Sequence, residues 1–272
     1  RKELDRSVAL ISAALAIKPK NASAHNNLGN TLKELHLFEQ AQSSYARAIE
    51  LDPKFEKPYN NLGLVLQHLG QLEAAIDAFN EALRLKPNYD DAQWNKSLAL
   101  LHSGQLRQGF EQFEWRWRAK KTGMTAPDLP QPLWLGQFEL MGKTILVHHE
   151  QGMGDSIQFC RYIPMLQKLG AQVVLTVPQP LVKLMLGLEG VDRVIESGQP
   201  VPKFDCHIPM MSLPLAFKTD LSNIPKADGY LLADPIKSQL WRQRLGERQR
   251  LRVGLVWNGG FRAERPDLWS TN

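Results

Sequence analysis

The N-terminal part of the chain repeats with a period of 34 residues. Prolines mark the period, and small and large apolar residues recur between them. The repeated set is Leu28, Gly29, Leu32, Ala41, Tyr45, Ala48 and Pro53, followed by Leu62, Gly63, Leu66, Ala75, Phe79, Ala82 and Pro87. This period is typical of stacked helix pairs, because one pair alone cannot bury its apolar face. Glycine and alanine allow the two helices of a pair to cross closely, and proline ends the second helix.

The repeated positions resemble the tetratricopeptide repeat (TPR), which implies a helical solenoid over residues 1–118. Residues 1–19 match the second half of a unit, two full units follow, and a degenerate fourth unit begins near Asp90. Terminal units diverge because they meet a cap or another domain. We therefore predict that residues 113–118 dock onto the next part of the chain. The missing initiator Met and the half unit predict that the chain belongs to a longer protein.

Composition narrows the possible classes of protein. Two cysteines in 272 residues are too few for a disulfide framework and indicate a reducing compartment, so we expect a cytoplasmic protein. No apolar run approaches the roughly 18 residues that a membrane span needs. Neither a P-loop nor a metal-binding Cys/His spacing is present, so neither a metal nor a cofactor is expected. The arginines near residues 242–252 lack an accompanying aromatic platform, and we expect no nucleic-acid partner.

A different pattern begins after residue 118. The prolines and glycines of residues 119–142 predict an irregular linker. Short apolar, β-branched segments then alternate with helical patterns, at residues 144–148, 172–177, 191–195 and 204–208. This alternation predicts a Rossmann-like parallel α/β domain over residues 143–250, with a last helix at 238–245. A strand at 252–257 predicts the start of a second α/β domain in residues 251–272. The expected fold class is therefore α + α/β.

The order of these parts resembles that of GT-B glycosyltransferases fused to TPR arrays, including O-GlcNAc transferase. Residues 148–159 are similar to the first strand, loop and helix of bacterial TPR proteins with heptosyltransferase-like domains, and residues 254–260 resemble the opening of their donor domain. The resemblance implies that residues 143–250 form the acceptor domain, the N-terminal half of GT-B. It also implies that the full-length protein transfers a sugar from a nucleotide sugar to an acceptor. The fragment itself should be inactive.

Candidate site residues follow the first strand of the α/β domain, at the edge where parallel sheets bind ligands. The resemblance implies that Asp155 is the catalytic base, which removes the proton of the acceptor hydroxyl. His148, His149 and Glu150 lie at the same strand end and are candidates for contacting the acceptor or for orienting Asp155. The alternatives are that Asp155 is only the N-cap of the following helix and that its neighbours form a solvent-exposed strand end.

The resemblance also points to a donor site. In GT-B families the loop that corresponds to Asn258, Gly259 and Gly260 lies near the diphosphate of the nucleotide sugar, where backbone amides can stabilise the leaving group without a metal. The alternative is an ordinary turn after a strand. Gly152 and Gly154 lack the third glycine of the dinucleotide fingerprint, so a nicotinamide cofactor is not expected.

The repeats offer a second candidate site. Asn27, Asn61 and Asn95 lie 34 residues apart on the first helix of each unit, so stacking should align them along the inner groove. An amide offers both a donor and an acceptor, which suits binding of an extended peptide backbone. O-GlcNAc transferase uses an asparagine ladder of this kind. The alternative is that asparagine is simply common at this place in TPRs.

Two further functional classes compete with a protein-modifying enzyme. The first is a non-enzymatic TPR scaffold that carries an inert Rossmann-like module. The second is a sugar transferase of the lipopolysaccharide type, which uses the repeats only for assembly. The sequence beyond residue 272 would separate the enzyme from the scaffold, because only the enzyme needs a complete donor domain.

Overall fold

The computed structural model describes residues 1–225 and 229–247. Residues Arg1–Tyr230 form one compact unit, and Leu231–Asn272 form a second. The first unit contains both the helical repeats and the α/β sheet. The predicted start of a second α/β domain in residues 251–272, together with Asn258, Gly259 and Gly260, lies outside the described residues.

Helix pairs build the N-terminal part of the first unit. The helices up to residue 113 are α1 (Lys2–Ile17), α2 (Ala22–Glu34), α3 (Phe38–Leu51), α4 (Glu56–His68), α5 (Leu72–Leu85), α6 (Asp90–His102) and α7 (Leu106–Phe113). Within the pairs, α2 packs on α3, α4 on α5 and α6 on α7, and each pair packs on the next. Helix α1 packs on α2 as the second half of a unit. The predicted solenoid of helix pairs is confirmed.

In two of the pairs, α2 with α3 and α4 with α5, a glycine of the first helix packs against an aromatic ring of the second. A Cβ atom added at Gly29 would lie 2.6 Å from the ring of Tyr45, and one added at Gly63 would lie 2.6 Å from the ring of Phe79. Both rings are fully buried. The repeated glycine is therefore required by close helix packing, because a packed ring has no space into which it can retreat.

Replacing Gly63 with alanine should destabilise the protein by about 1–3 kcal/mol, because the added methyl group overpacks the contact with Phe79. This range is the net loss, after the better helix propensity of alanine has offset about 1 kcal/mol. Urea unfolding of the 272-residue chain measures the difference. Gly187→Ala is the matched control, since a Cβ atom at Gly187 meets nothing within 4 Å. Equal stability of Gly63→Ala and wild type would contradict this account of the packing.

The α/β part contains a four-stranded parallel sheet in the order β3-β2-β1-β4. Its strands are β1 (Thr144–His148), β2 (Gln172–Val177), β3 (Arg193–Glu196) and β4 (Cys206–Pro209). In the register, Leu146 lies opposite Val174 of β2 and His207 of β4. The central strands are buried apolar runs, as expected for a parallel sheet that is covered on both faces. A TPR solenoid followed by a Rossmann-like α/β domain, the predicted fold class, is confirmed.

Short helices lie between β1 and β3 and after β4. They are α8 (Met153–Phe159), α9 (Ile163–Lys168), α10 (Gln179–Met185) and α11 (Leu213–Ala216). Where the sequence pattern predicts one helix from Ile157 to Leu166, a 3₁₀-helix at Cys160–Tyr162 separates α8 from α9. Pro164 accounts for the interruption, because it has no N–H to donate to the carbonyl group four residues earlier.

The predicted linker, residues 119–142, packs against the sheet. Trp134 and Leu140 are buried, and Leu133 forms a parallel bridge with His207 on the outer side of β4. The backbone N–H of Trp134 donates to the His207 carbonyl oxygen at 2.8 Å. Part of the segment therefore extends the sheet, which its proline and glycine content did not predict.

The second unit contains helix α12 (Pro235–Leu245) in its described part. The helix begins three residues before the predicted start at Ser238, because Asp234 caps it and Pro235 occupies its first turn. In the described part of the chain, no helix combines the length and the apolar character that crossing a membrane would require.

Candidate functional site

The candidate site lies at the carboxyl ends of β1 and β4. Strands β2 and β3 lie on one side of β1, and β4 lies on the other. The chain runs from β1 to β2 and β3 on one side and then crosses to β4 on the other side of β1, which makes the point between β1 and β4 the topological switch where α/β folds bind ligands. The segment from His148 to Asp155 begins at this point.

His148 is paired with a histidine that the sequence analysis did not single out. Its Nε2 atom lies 3.2 Å from Nδ1 of His207 on β4. Burial lowers the pKa of His148 to about 3, with further lowering from His207, Arg116 and His149. Burial also lowers the pKa of His207. Both imidazoles are therefore neutral at neutral pH, and the predicted contact of His148 with an acceptor stays a prediction.

His149 is anchored by the helix that follows it. Its backbone N–H donates to the Thr176 carbonyl oxygen, and its Nδ1 lies 2.6 Å from Oγ of the buried Ser156. Burial lowers the pKa of the half-buried imidazole, while the charge of Asp155 and a hydrogen bond with the Gln151 backbone oppose that effect. The charge of Asp155 therefore acts on His149, and a role of His149 in orienting Asp155 or in contacting an acceptor stays a prediction.

Glu150 is buried, so the alternative of a solvent-exposed strand end is wrong for this residue. Its Oε1 accepts hydrogen bonds from Arg116 Nη2 at 3.1 Å and from the Met211 N–H at 2.8 Å, and its Oε2 accepts from Arg116 Nε at 2.8 Å. Burial raises the pKa of Glu150, and the guanidinium of Arg116 opposes this effect. Both carboxylate oxygens therefore already bind protein groups. A contact with an acceptor stays a prediction for Glu150.

Arg116 comes from the end of the repeats and has no exposed surface. Besides its bonds to Glu150, Nη2 donates to Ser212 Oγ at 2.7 Å, and Nη1 donates to Glu114 Oε1 at 2.6 Å and to the Phe113 carbonyl oxygen at 3.2 Å. The guanidinium lies between the rings of Phe113 and Trp117. These bonds occupy all five N–H donors of an arginine. They confirm the predicted docking of residues 113–118 on the α/β part.

Asp155 is the third residue of α8, not its N-cap. The N-cap is Gly152, and Asp155 Oδ2 accepts a hydrogen bond from the Gly152 N–H at 2.9 Å. The sequence pattern placed the cap three residues late, because an acidic residue in the third helical position also favours the start of a helix. Asp155 remains half-exposed. A catalytic role stays a prediction.

The turn between Glu150 and Gly152 has an unusual backbone. Gln151 has φ of 59°, a left-handed conformation that residues with a side chain seldom adopt. Such conformations persist where the surrounding contacts fix them, and they concentrate at functional sites. The hydrogen bonds of Glu150 and of the Gly152 N–H provide those contacts on either side.

The asparagines of the repeats bond to one another. Asn95 Nδ2 donates to Asn60 Oδ1 at 2.9 Å, and Asn61 Nδ2 donates to Asn26 Oδ1 and to Asn30 Oδ1, both at 3.0 Å. Asn95 is buried, Asn61 is half-buried and Asn27 is exposed. Stacking thus links the predicted ladder between units, and it leaves Asn27 as the member with the most accessible amide. Peptide binding stays a prediction for all three.

The described residues contain no group of three His, Cys, Asp or Glu side chains that could hold a metal ion. The titratable groups at the candidate site instead pair with one another or with backbone groups.

Comparison with known proteins bears on the repeats. Residues 22–55 and 57–89 match the tetratricopeptide repeat family model. These two helix pairs are tetratricopeptide repeats. The match ends before α6, where the fourth unit loses the repeat pattern and meets the α/β part.

Parts of the chain are similar to several solved structures, three of which are compared with it by identity, TM-score and coverage. A crystal structure of MamA is 25% identical with a TM-score of 0.41, and the match covers 44% of this chain and 70% of MamA. YrrB, described as a TPR protein with an unusual peptide-binding site, is 23% identical with a TM-score of 0.39, and 44% of this chain matches 62% of YrrB. A Thermobaculum terrenum O-GlcNAc transferase mutant is 22% identical with a TM-score of 0.41, and 70% of this chain matches 37% of that one. Similarity at this level establishes neither a shared function nor a shared site. No curated protein matches the chain.

Proposed function

We propose that this chain is the repeat array and acceptor-side half of a TPR-coupled GT-B glycosyltransferase. In full-length form it transfers a sugar from a nucleotide sugar to an acceptor, which is a protein or peptide held by the TPR groove. The observation that carries the proposal is the position of the segment from His148 to Asp155, whose sequence resembles that of heptosyltransferase-like proteins. It begins at the carboxyl end of β1, between β2 and β4, which is where α/β domains bind ligands.

The site residues have separate roles in this proposal. Asp155 removes the proton of the acceptor hydroxyl as the anomeric carbon is attacked, and a positioned carboxylate suits that task. His149 lies close enough to interact with the Asp155 charge and helps to orient the acceptor. The amides of Asn258, Gly259 and Gly260 stabilise the leaving diphosphate. The histidine pair His148 and His207 supports the end of the strand from which the site begins.

The second candidate function is a TPR scaffold without enzymatic activity. The observation that favours it is the family match itself, because residues 22–55 and 57–89 are repeats of a kind that binds proteins. The scaffold and the enzyme both predict binding of a peptide in the groove. They differ only in the chemistry at the end of β1.

Sugar transfer should require the second domain. We expect the purified 272-residue chain to turn over no nucleotide sugar, because GT-B chemistry takes place between two domains. The full-length protein should release nucleoside diphosphate from one member of a panel of nucleotide sugars. Turnover by the shorter chain would contradict the placement of the donor site. A lack of turnover by the full-length protein with every donor, in the presence of a peptide that its groove binds, would favour the scaffold.

Asn27→Ala should weaken peptide binding without changing stability. Its amide is exposed, and the oxygen accepts only a long bond of 3.5 Å from Asn26 Nδ2, so it can bond a peptide backbone. The loss of one such hydrogen bond should lower affinity by about 1 kcal/mol, or about fivefold. Titration with the tightest binder from a library of extended peptides measures this effect. Asn95→Ala is the matched variant, because it removes the donor to the buried Asn60 and should lower stability by about 1–3 kcal/mol. Unchanged affinity of Asn27→Ala would leave this asparagine as a consensus residue of the repeat.

A further inference from the structure

The bonds of Arg116 join the repeats directly to the turn that carries the candidate site. Two of its N–H groups bind the carboxylate of Glu150, and that carboxylate also binds the Met211 N–H after β4. Glu150 immediately precedes Gln151 in the chain. An arginine of the last repeat unit therefore fixes one end of the left-handed turn.

The other end of the turn is fixed by the start of α8. The Gly152 N–H donates to Asp155 Oδ2 at 2.9 Å, so the position of the Asp155 carboxylate depends on where Gly152 lies. Gln151 lies between these two anchors with φ of 59°. A residue with a side chain leaves this conformation when its neighbours release it, because the extended and right-handed regions are lower in energy. Release of Glu150 would thus displace Gly152 and, with it, Asp155.

We propose that Arg116 is a positioning residue of the candidate site, which acts through Glu150 to hold Gln151 in its left-handed conformation. Its effect on catalysis rests on the proposed function, whereas its effect on the turn does not. The TPR array then has a role beyond peptide binding, because Arg116 in its last turn holds Glu150 and thereby the turn that carries the candidate site. An α/β domain cut free at residue 119 would lose the geometry of its own site.

The test uses amide hydrogen exchange in the 272-residue chain. In Arg116→Met, the Gly152 N–H should exchange at least tenfold faster than in wild type, after correction for any change in global stability. Arg118→Met is the matched control, since the side chain of Arg118 is mostly exposed and bonds only loosely to Asp90. It should leave Gly152 exchange unchanged. The second variant is Arg116→Met/Glu150→Gln, which keeps the chain folded by removing the unpaired buried charge and should show the same faster exchange.

Rescue separates positioning from a general structural role. Adding Gln151→Gly to either Arg116 variant should return Gly152 exchange to within about threefold of wild type, because glycine adopts the left-handed conformation without a steric penalty. A variant that only loses stability would not respond to a change at position 151. Unchanged Gly152 exchange in both folded Arg116 variants, or failure of Gln151→Gly to restore it, would overturn the proposal.

The full-length protein distinguishes this proposal from the proposed function. If both hold, Arg116→Met/Glu150→Gln should lower kcat at least tenfold while the KM for the nucleotide sugar stays within about twofold, and Gln151→Gly should restore kcat. If exchange responds as expected but the wild-type protein turns over no nucleotide sugar, the proposed function is wrong and the role of Arg116 in the turn stands. If wild type is active and the double variant keeps full kcat, the positioning role is wrong and the proposed function stands.

Discussion

Replacing Arg116 with alanine should destabilise the protein by about 3–5 kcal/mol, because it leaves the buried carboxylate of Glu150 without its cation. Glu150 is only 8% exposed and has no other charged partner in the described residues that could replace the guanidinium. The bonds to Ser212 and to the Phe113 carbonyl oxygen are lost as well. Urea unfolding at neutral pH, compared with wild type, measures the loss.

A control variant and a change of pH together test whether the loss of stability in Arg116→Ala comes from the buried charge of Glu150. Arg118→Ala removes a neighbouring arginine whose side chain is 61% exposed, and it should cost no more than about 1 kcal/mol. Lower pH should reduce the deficit of Arg116→Ala. Without Arg116, burial still raises the pKa of Glu150 and the opposing guanidinium is gone, so the folded variant binds this proton more tightly than the unfolded chain does. Its stability relative to wild type should therefore recover as the pH falls toward the ordinary Glu value of 4.5. A deficit below about 1 kcal/mol at neutral pH would contradict the role of the buried pair.

The repeats and the central strands could be predicted from the sequence because their signals are local. Gly29 and Tyr45 recur as Gly63 and Phe79, since every pair needs the same close crossing. The bounds of β1 and β2 follow from apolar runs: β1 ends at the polar His148, and β2 begins at Gln172 and ends before Pro178. Close helix crossing requires glycine, and a buried strand requires apolar residues, whatever the rest of the fold. Helix pairs and buried strands can therefore be recognised from the sequence of the segment alone.

The contacts of the candidate site could not be predicted because they join distant parts of the chain. Arg116 and Glu150 are 34 residues apart, and His148 and His207 are 59 apart. An arginine in a degenerate repeat gives no signal of burial until the α/β part covers it. Arg116 stands one period after Ala82 and two periods after Ala48, and this change from a small residue was the available indication that its surroundings differ.

The asparagines show how position within the array changes a repeated residue. Asn27, Asn61 and Asn95 occupy equivalent places on α2, α4 and α6. The inner helix of the preceding unit covers Asn61 and Asn95, through bonds to Asn26 and Asn60. No described helix of that kind precedes α2, so Asn27 stays exposed. The period predicts equivalent positions, but each asparagine bonds according to the helix that lies beside it in the structure.

Asp155→Asn in the full-length protein should lower sugar transfer by about 10²-fold or more, because the amide cannot remove the acceptor proton. The remaining side-chain oxygen can still accept the bond from the Gly152 N–H, so the start of α8 and the melting temperature should barely change. The matched control is Asp205→Asn, which alters a carboxylate that binds the Thr144 N–H at the opposite end of β1. It should leave turnover unchanged.

The most direct measurement of the central claim is the rate at which full-length wild type and Asp155→Asn release nucleoside diphosphate from the preferred nucleotide sugar in the presence of a bound acceptor. The expected result is a large fall in kcat with an unchanged melting temperature and an unchanged KM for the donor. Turnover that survives the substitution while the melting temperature drops would show that Asp155 only stabilises the first turn of α8, and would contradict the assignment of this site to sugar transfer.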